Sequence, residues 1–183
     1  MLSNCKKCRK EPHCCIFKNN CFAFVGIQDA RKIKSKIKKD YNYFLDYSPL
    51  PKRVIHQLRY EDPALEGKLR YSQLLEGSLP RLRTKKNKRC IFLDDYGKCK
   101  IYSIRPNICR IFPFWAMKLT NGRIKVIVHD PDPKCRIIEC IADKDVENTL
   151  SKKEISAIKS VFRKICKENQ FYRKNIRKFT KIL

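Results

Sequence analysis

The chain has 183 residues, 43% of them hydrophobic, and a net charge of +25 from 43 Lys and Arg against 18 Asp and Glu. This fits one domain able to bury a core and excludes a disordered tail, and no run approaches the roughly 20 apolar residues of a membrane helix. Eleven cysteines are an odd number and cannot all pair as disulfides.

The opening Met1-Leu2-Ser3-Asn4-Cys5-Lys6-Lys7-Cys8 lacks the apolar run of a signal peptide, which predicts a cytoplasmic chain. Thiols there stay reduced, and clustered reduced thiols read as metal ligands; disulfides in an unusual intracellular setting are the competing reading. Residues 1–26 hold Cys5, Cys8, Cys14, Cys15 and Cys21 without any sustained period, so they read as loop ordered by what it binds. The Cys5-x-x-Cys8 spacing lets two thiolates reach one ion from a single turn. Adjacent Cys14 and Cys15 are expected to diverge, one facing a metal and the other a second site or the core. His13 reads as a solvated loop residue, with a ligand role as the alternative.

Ile27, Ala30, Ile33, Ile37, Tyr41 and Phe44 recur at helical steps, with Asp29 suited to the first turn. The opposite face carries Arg31, Lys32, Lys34, Lys36, Lys38 and Lys39. Tyr41 to Tyr47 reads as a second short helix covering the cysteine end, broken by Pro49 and Pro51. Residues 52–78 say little, and His56 has no second ligand at metal spacing beside it. Ser78 to Thr84 reads as a strand. Lys85-Lys86-Asn87-Lys88 reads as a solvated hairpin tip, although such a turn could touch an anion.

The stretch from Cys90 to Trp115 organises the rest. Asp94-Asp95-Tyr96-Gly97 is a turn between apolar runs, and a glycine ending such a turn supplies positive φ. This predicts a tight hairpin with Cys90 on one arm and Cys99 just past the turn. Pro106 predicts a short helix to Ile111 carrying Cys109, stopped before Pro113. Hairpin and helix together bring Cys90, Cys99 and Cys109 towards one point. Arg105 and Arg110 flank Cys109 and are suited to offset thiolate charge around a bound metal or cluster. Phe92, Phe112, Phe114 and Trp115 would wall the site.

Further on, Asn121-Gly122 between Trp115–Thr120 and the alternating Ile124, Val126 and Val128 predicts a hairpin with a type I′ turn. Ser151-Lys152-Lys153-Glu154 is a capping box opening a last helix, with Ile155, Ile158, Phe162, Ile165, Tyr172, Ile176 and Phe179 at helical spacing. Cys166 beside that stripe reads as a small buried hydrophobe. The other face carries Lys152, Lys153, Lys159, Arg163, Lys164, Lys167, Arg173, Lys174, Arg177, Lys178 and Lys181.

The pattern of Cys90, Phe92, Leu93, Gly97, Cys99, Ile101, Tyr102, Arg105, Pro106, Cys109, Arg110, Phe112 and Pro113 resembles the CxxCxxCC (YkgJ-like) family of zinc- or iron-chelating cysteine-cluster proteins. The N-terminal half of that family's pattern is matched by Cys5, Cys8, Cys14 and Cys15, with a longer gap between Cys8 and the pair. The resemblance implies a further ligand after the second block, at Cys135, with His129 and Cys140 in reserve. It also reaches flagellin lysine methylases with cysteine clusters, which leans the cofactor towards a [4Fe–4S] iron–sulfur cluster rather than zinc. No cosubstrate site for methylation is recognisable.

The expected fold is α+β, a single small domain with helices at both ends packed on short antiparallel hairpins around a cysteine cluster. Residues 1–140 would form the metal-binding part, and 141–183 a basic amphipathic helix packed on it. No Walker loop, dinucleotide fingerprint, HExxH or nucleophile elbow is present. The metal-binding candidates are Cys5, Cys8, Cys14, Cys15, Cys90, Cys99, Cys109 and Cys135. The alternative function is a zinc-stabilised nucleic-acid-binding or adaptor protein, using the basic C-terminal helix on a phosphate backbone or on another protein.

Overall fold

A computed structural model of the chain describes residues 13–17, 23–49, 80–128, 141 and 145–182, with side chains as far as residue 168. It consists of helices and two short antiparallel sheets, the α+β class that the sequence predicts. Two apolar cores organise it.

The first core gathers around helix α1 (Ile27–Ile37), whose Ala30 and Ile33 are fully buried. α1 ends where Lys38 turns left-handed, with φ 53°. Its N-cap, Gly26, has no side chain to satisfy the first amides. The Glu168 carboxylate, arriving from the far end of the chain, accepts from the Gln28 N–H instead. A Cβ at Gly26 would overlap that carboxylate, and the Glu168 side chain would have to swing aside to admit it.

Helix α2 (Tyr41–Phe44) is a single turn, shorter than the helix expected over Tyr41 to Tyr47. The chain leaves it because Leu45 and Asp46 extend as β1 and pair antiparallel with β2 (Arg81–Leu82). That pairing buries Leu45 and Leu82 and brings Arg81 to Asp46 at 2.7 Å. Arg81 also donates to Ser48 O and Oγ, so its buried charge is both paired and hydrogen-bonded.

Phe44, Leu45, Leu82, Phe92, Leu93 and Ile101 complete this core, with Phe44 and Phe92 rings 5.9 Å apart. Cys90 is buried within it, and Cys15, Cys99 and Cys109 pack against it.

The second core is built by longer elements. β3 (Phe114–Lys118) and β4 (Ile124–Val128) form the expected hairpin, in register Phe114↔Val128 to Lys118↔Ile124. Its turn differs from the expected type I′. Leu119 N–H bonds to Arg123 O, Gly122 N–H bonds to Leu119 O, and only Gly122 takes positive φ, at 79°. A three-residue loop with glycine in the left-handed position satisfies the strand twist without forcing Asn121 there. Asn121 instead accepts from the Arg123 N–H through its side chain.

Helix α3 (Asn107–Ile111) precedes the hairpin. After it come α4 (Val146–Thr149), capped by the Asp145 side chain, and α5 (Lys152–Ile182). The predicted capping box at the start of α5 is formed: Ser151 N–H donates to Glu154 Oε2 and Glu154 N–H donates to Ser151 Oγ.

Ile158 and Phe162 of α5 close over Ile111, Phe114, Trp115, Ala116 and Val126. Trp115 meets Phe162 edge-on at 5.3 Å. Phe114 and Trp115 therefore belong to this second core; of the expected aromatic wall, Phe92 belongs to the first core. Cys166 packs, half-buried, against the second. Ile108 on α3 touches both cores and couples them. Among the described residues no helix is long and apolar enough to cross a membrane.

Candidate metal centre

The Cys90–Cys99 segment folds as the turn chemistry demands. Asp94 Oδ1 accepts from the N–H groups of Tyr96 and Lys98, and Gly97 takes φ 76°. Pairing is limited to one Leu93–Cys99 bridge, made by Asp94 N–H to Lys98 O and Lys100 N–H to Phe92 O, so the hairpin is a tight loop and not two full strands. This geometry turns backbone amides towards sulfur. The N–H groups of Phe92 and Leu93 favour a thiolate at Cys90, and that of Ile101 favours one at Cys99.

Cys109 stands on α3. A residue far away in the sequence sets that helix: the Asp29 carboxylate of α1 accepts from the Asn107 N–H at 2.6 Å. Asp29 is buried, and burial raises its pKa against the opposing pull of that hydrogen bond. A carboxylate at a helix N-terminus opposes the exposed amide dipoles.

Cys14 and Cys15 lie on the 3-10 turn His13–Cys15, held against the rest by Cys90 N–H bonding to Cys15 O and Phe17 N–H to Lys88 O. Their sulfurs are 4.0 Å apart, so the expected divergence of this pair is not what the turn produces. The tight turn brings both thiols to one side. Sulfurs about a tetrahedral zinc, at about 2.3 Å each, stand about 3.8 Å apart.

All six described cysteines are free thiols. Five of them, drawn from three segments, feel one another. Burial first, then neighbouring thiols, pushes Cys109 well above the ordinary range, with Cys90, Cys14 and Cys99 each contributing. Burial raises Cys90 to about 11. Burial also raises Cys99. Cys15 is raised chiefly by its bond to Cys14, which holds Cys14 low in turn.

Arg105 is the cation that counters this field, favouring thiolates at Cys14, Cys99 and Cys109. It is buried and stacks 4.1 Å over the Tyr102 ring. Arg110 does other work: its guanidinium donates to the backbone oxygens of Arg105 and Ser103 and braces the loop that presents Arg105.

No three Cys, His, Asp or Glu side chains among the described residues already stand at ion-holding distances. Cys5, Cys8, Cys21, Cys135, Cys140, His56 and His129 lie outside the described residues. Chemically the set suits a soft metal. Cys90 is buried, Cys15, Cys99 and Cys109 are half-buried and Cys14 is exposed, with amides and a guanidinium near them; as thiolates they would require positive charge between them.

A model of a "putative zinc- or iron-chelating domain", named for its CxxCxxCC pattern, matches residues 4–136. The chain belongs to the CxxCxxCC family. The match spans the N-terminal cysteines, the Cys90–Cys109 stretch and Cys135, and ends before α4 and α5. The chain is also similar to an uncharacterized protein of Methanocaldococcus jannaschii, 41% identical over 56 residues. That alignment spans 30% of this chain and 30% of the curated relative. No solved structure matches.

Proposed function

We propose that this CxxCxxCC protein is a cytoplasmic metal-binding module in which Cys90, Cys99 and Cys109, with Cys14 or Cys15, hold a [4Fe–4S] cluster or a zinc ion. Cys5, Cys8 and Cys135 are the further candidates, serving the same ion or a second one. What supports the reading is the packing of Cys15, Cys90, Cys99 and Cys109, from three separate segments, in and against one core, with the Cys14 sulfur 4.0 Å from that of Cys15, in a chain matched by a zinc- or iron-chelating domain. Arg105 offsets the thiolate charge from outside the ligand set, and Arg110 holds the loop that presents it.

Loading draws the sulfurs closer, replaces thiol protons with metal, and ties α3 and the Cys90 loop to the N-terminal turn. The lean is towards iron–sulfur, because the ligands come from distant segments and not from one compact knuckle. A cluster would supply electron transfer or a Lewis-acid site; zinc would supply a crosslink. In this reading residues 1–140 form the metal module and 141–183 dock on it. Anaerobic purification followed by metal analysis and a visible spectrum tests it. Iron with sulfide and a broad visible charge-transfer band supports the cluster, and stoichiometric zinc with no visible band supports zinc. A chain that carries neither iron nor zinc after anaerobic purification would refute the proposal.

A second reading has one observation in its favour. Lys152, Lys153, Arg163, Lys164 and Lys167 of α5 are exposed, a basic row able to meet a phosphate backbone or an acidic protein. The side chains of Arg173, Lys174, Arg177, Lys178 and Lys181 lie outside the described residues.

A further inference from the structure

Two neighbouring turns make a surface that the metal reading does not use. The first runs from Arg83 to Arg89, closed by Lys85 N–H bonding to Arg89 O and Lys88 N–H bonding to Lys85 O. The second is the Asp94–Lys98 turn. They are clamped together, because Lys85 Nζ donates to Leu93 O at 2.7 Å and Arg89 donates to Asp94 O at 3.1 Å.

Tyr96 stands at the tip of the second turn with 84% of its surface exposed, the more exposed of the two large hydrophobic side chains that reach solvent among the described residues. Arg83, Lys86, Lys88, Lys98 and Lys100 around it are also exposed. None of the described ion pairs involves them.

The ring is held out by construction. Asp94 Oδ1 takes the N–H groups of Tyr96 and Lys98, its backbone N–H bonds to Lys98 O, and Gly97 closes the turn in the left-handed region. The backbone that carries the ring is fixed this way and loses little freedom on meeting a partner. Lys88 takes φ 61°, a conformation that asparagine or glycine adopts at less cost, and so presents its ammonium from the adjoining tip.

Between positions 83 and 100 the chain carries seven cations and only Asp94 and Asp95 in opposition. The Asp94 carboxylate is engaged with backbone amides, which leaves Asp95 as the one exposed negative group. An exposed aromatic on a fixed turn amid lysines outside the described ion pairs combines the two parts of a single-strand site: a face for a base to stack on, and cations along the backbone. A duplex would use only the cations, since its bases are already stacked.

We propose that the paired turns at 83–89 and 94–100 bind single-stranded nucleic acid, with a base stacked on Tyr96 and flanking phosphates met by Lys86, Lys88, Lys98 and Lys100. The described part of α5 offers cations without an exposed aromatic, so it would favour no strand state. Its second turn lies between Cys90 and Cys99, so the site is tested on the chain with its metal content measured in every variant.

The test is fluorescence anisotropy on the full chain, purified anaerobically, with end-labelled mixed-sequence RNA and DNA single strands of about 12 nucleotides and the matching duplex. Both single strands should bind more tightly than the duplex; a preference for RNA would add a contact to the 2′-hydroxyl. Tyr96→Ala should weaken single-strand binding by roughly 5- to 150-fold, while Tyr96→Phe keeps it, because stacking needs the ring and not the hydroxyl. Lys88→Ala with Lys98→Ala should weaken binding and flatten its salt dependence by about one to two ions. Tyr43→Ala, 50% exposed but outside the patch, should change nothing, and metal content should be the same in all variants. Binding unchanged by Tyr96→Ala, or duplex bound as tightly as single strand, would overturn the proposal.

Discussion

The core under β3 and β4 is closed by long elements: a five-residue hairpin on each side, a capped helix laid across it, and aliphatic and aromatic side chains from neighbouring parts of the chain. The core around the cysteines has comparable apolar side chains but little regular structure to hold them. Its strands are two residues long, its other pairings are isolated bridges, and its segments arrive from positions 13–17, 23–49 and 80–109. Each loop brought in this way loses conformational entropy that a hairpin or helix would recover through its own ladder of hydrogen bonds. A metal crosslink between Cys90, Cys99, Cys109 and the N-terminal turn, as proposed above, would recover much of that loss. The difference teaches that one half of the molecule is closed by its own elements, whereas the other, on the proposed reading, folds on burial and ligation together.

Removing the metal should separate the two halves most clearly. Structural thiolate sites bind with apparent free energies of about 10–16 kcal/mol, and that energy is folding energy. Treatment with a strong chelator should therefore strip hydrogen-exchange protection from Phe92, Leu93 and Lys100 first. The single Trp115, edge-on to Phe162 in the other core, should keep most of its buried emission. Simultaneous loss of both signals would show one core and not two.

The converse cut is Phe162→Ala. It removes a buried ring from the hairpin-side core, at a cost of about 3–5 kcal/mol. Chemical denaturation followed by Trp115 emission should show that loss, while metal content per folded molecule stays at the wild-type level. A fall in metal content as large as the fall in stability would show that Ile108 couples the cores tightly.

A smaller effect sharpens the junction between α5 and α1. Burial, and then the neighbouring Asp29 carboxylate, push Glu168 up from 4.5 to about 7. Its folded-state value lies above its unfolded one, so the folded chain binds the proton more tightly. Stability should fall as pH rises from about 4.5 to about 7 and level off beyond, with Asp29 acting in the same direction at lower pH. Glu168→Gln should flatten that slope, measured by urea midpoints at about pH 5 and about pH 8. Equal slopes in the variant and the wild type would show that Glu168 does not carry it.

The local chemistry of both halves was legible in the sequence. Gly97 and Gly122 marked turns with positive φ, Pro106 marked the start of α3, and Ser151 with Glu154 marked the start of α5, because each signal lies within four residues of what it controls. Cys99 just past its turn and Cys109 on its short helix were legible for the same reason. Asp29 on the Asn107 amide was not, since 78 residues separate the two and nothing local to either announces the other. Glu168 on α1 and Arg81 on Asp46 were hidden in the same way. The shared side of Cys14 and Cys15 was missed because residue adjacency suggests divergence in extended chain, whereas a 3-10 turn does not keep that geometry.

The most direct measurement compares Cys109→Ser with Cys166→Ser. Each exchange keeps nearly the same volume and removes a soft thiol, but Cys109 stands among the other thiols and Cys166 packs beside the hairpin-side core. After anaerobic purification, Cys109→Ser should lose most of the bound metal together with protection of the Cys90–Lys100 loop, and Cys166→Ser should match the wild type in both. Equal metal content in the two variants would contradict the account.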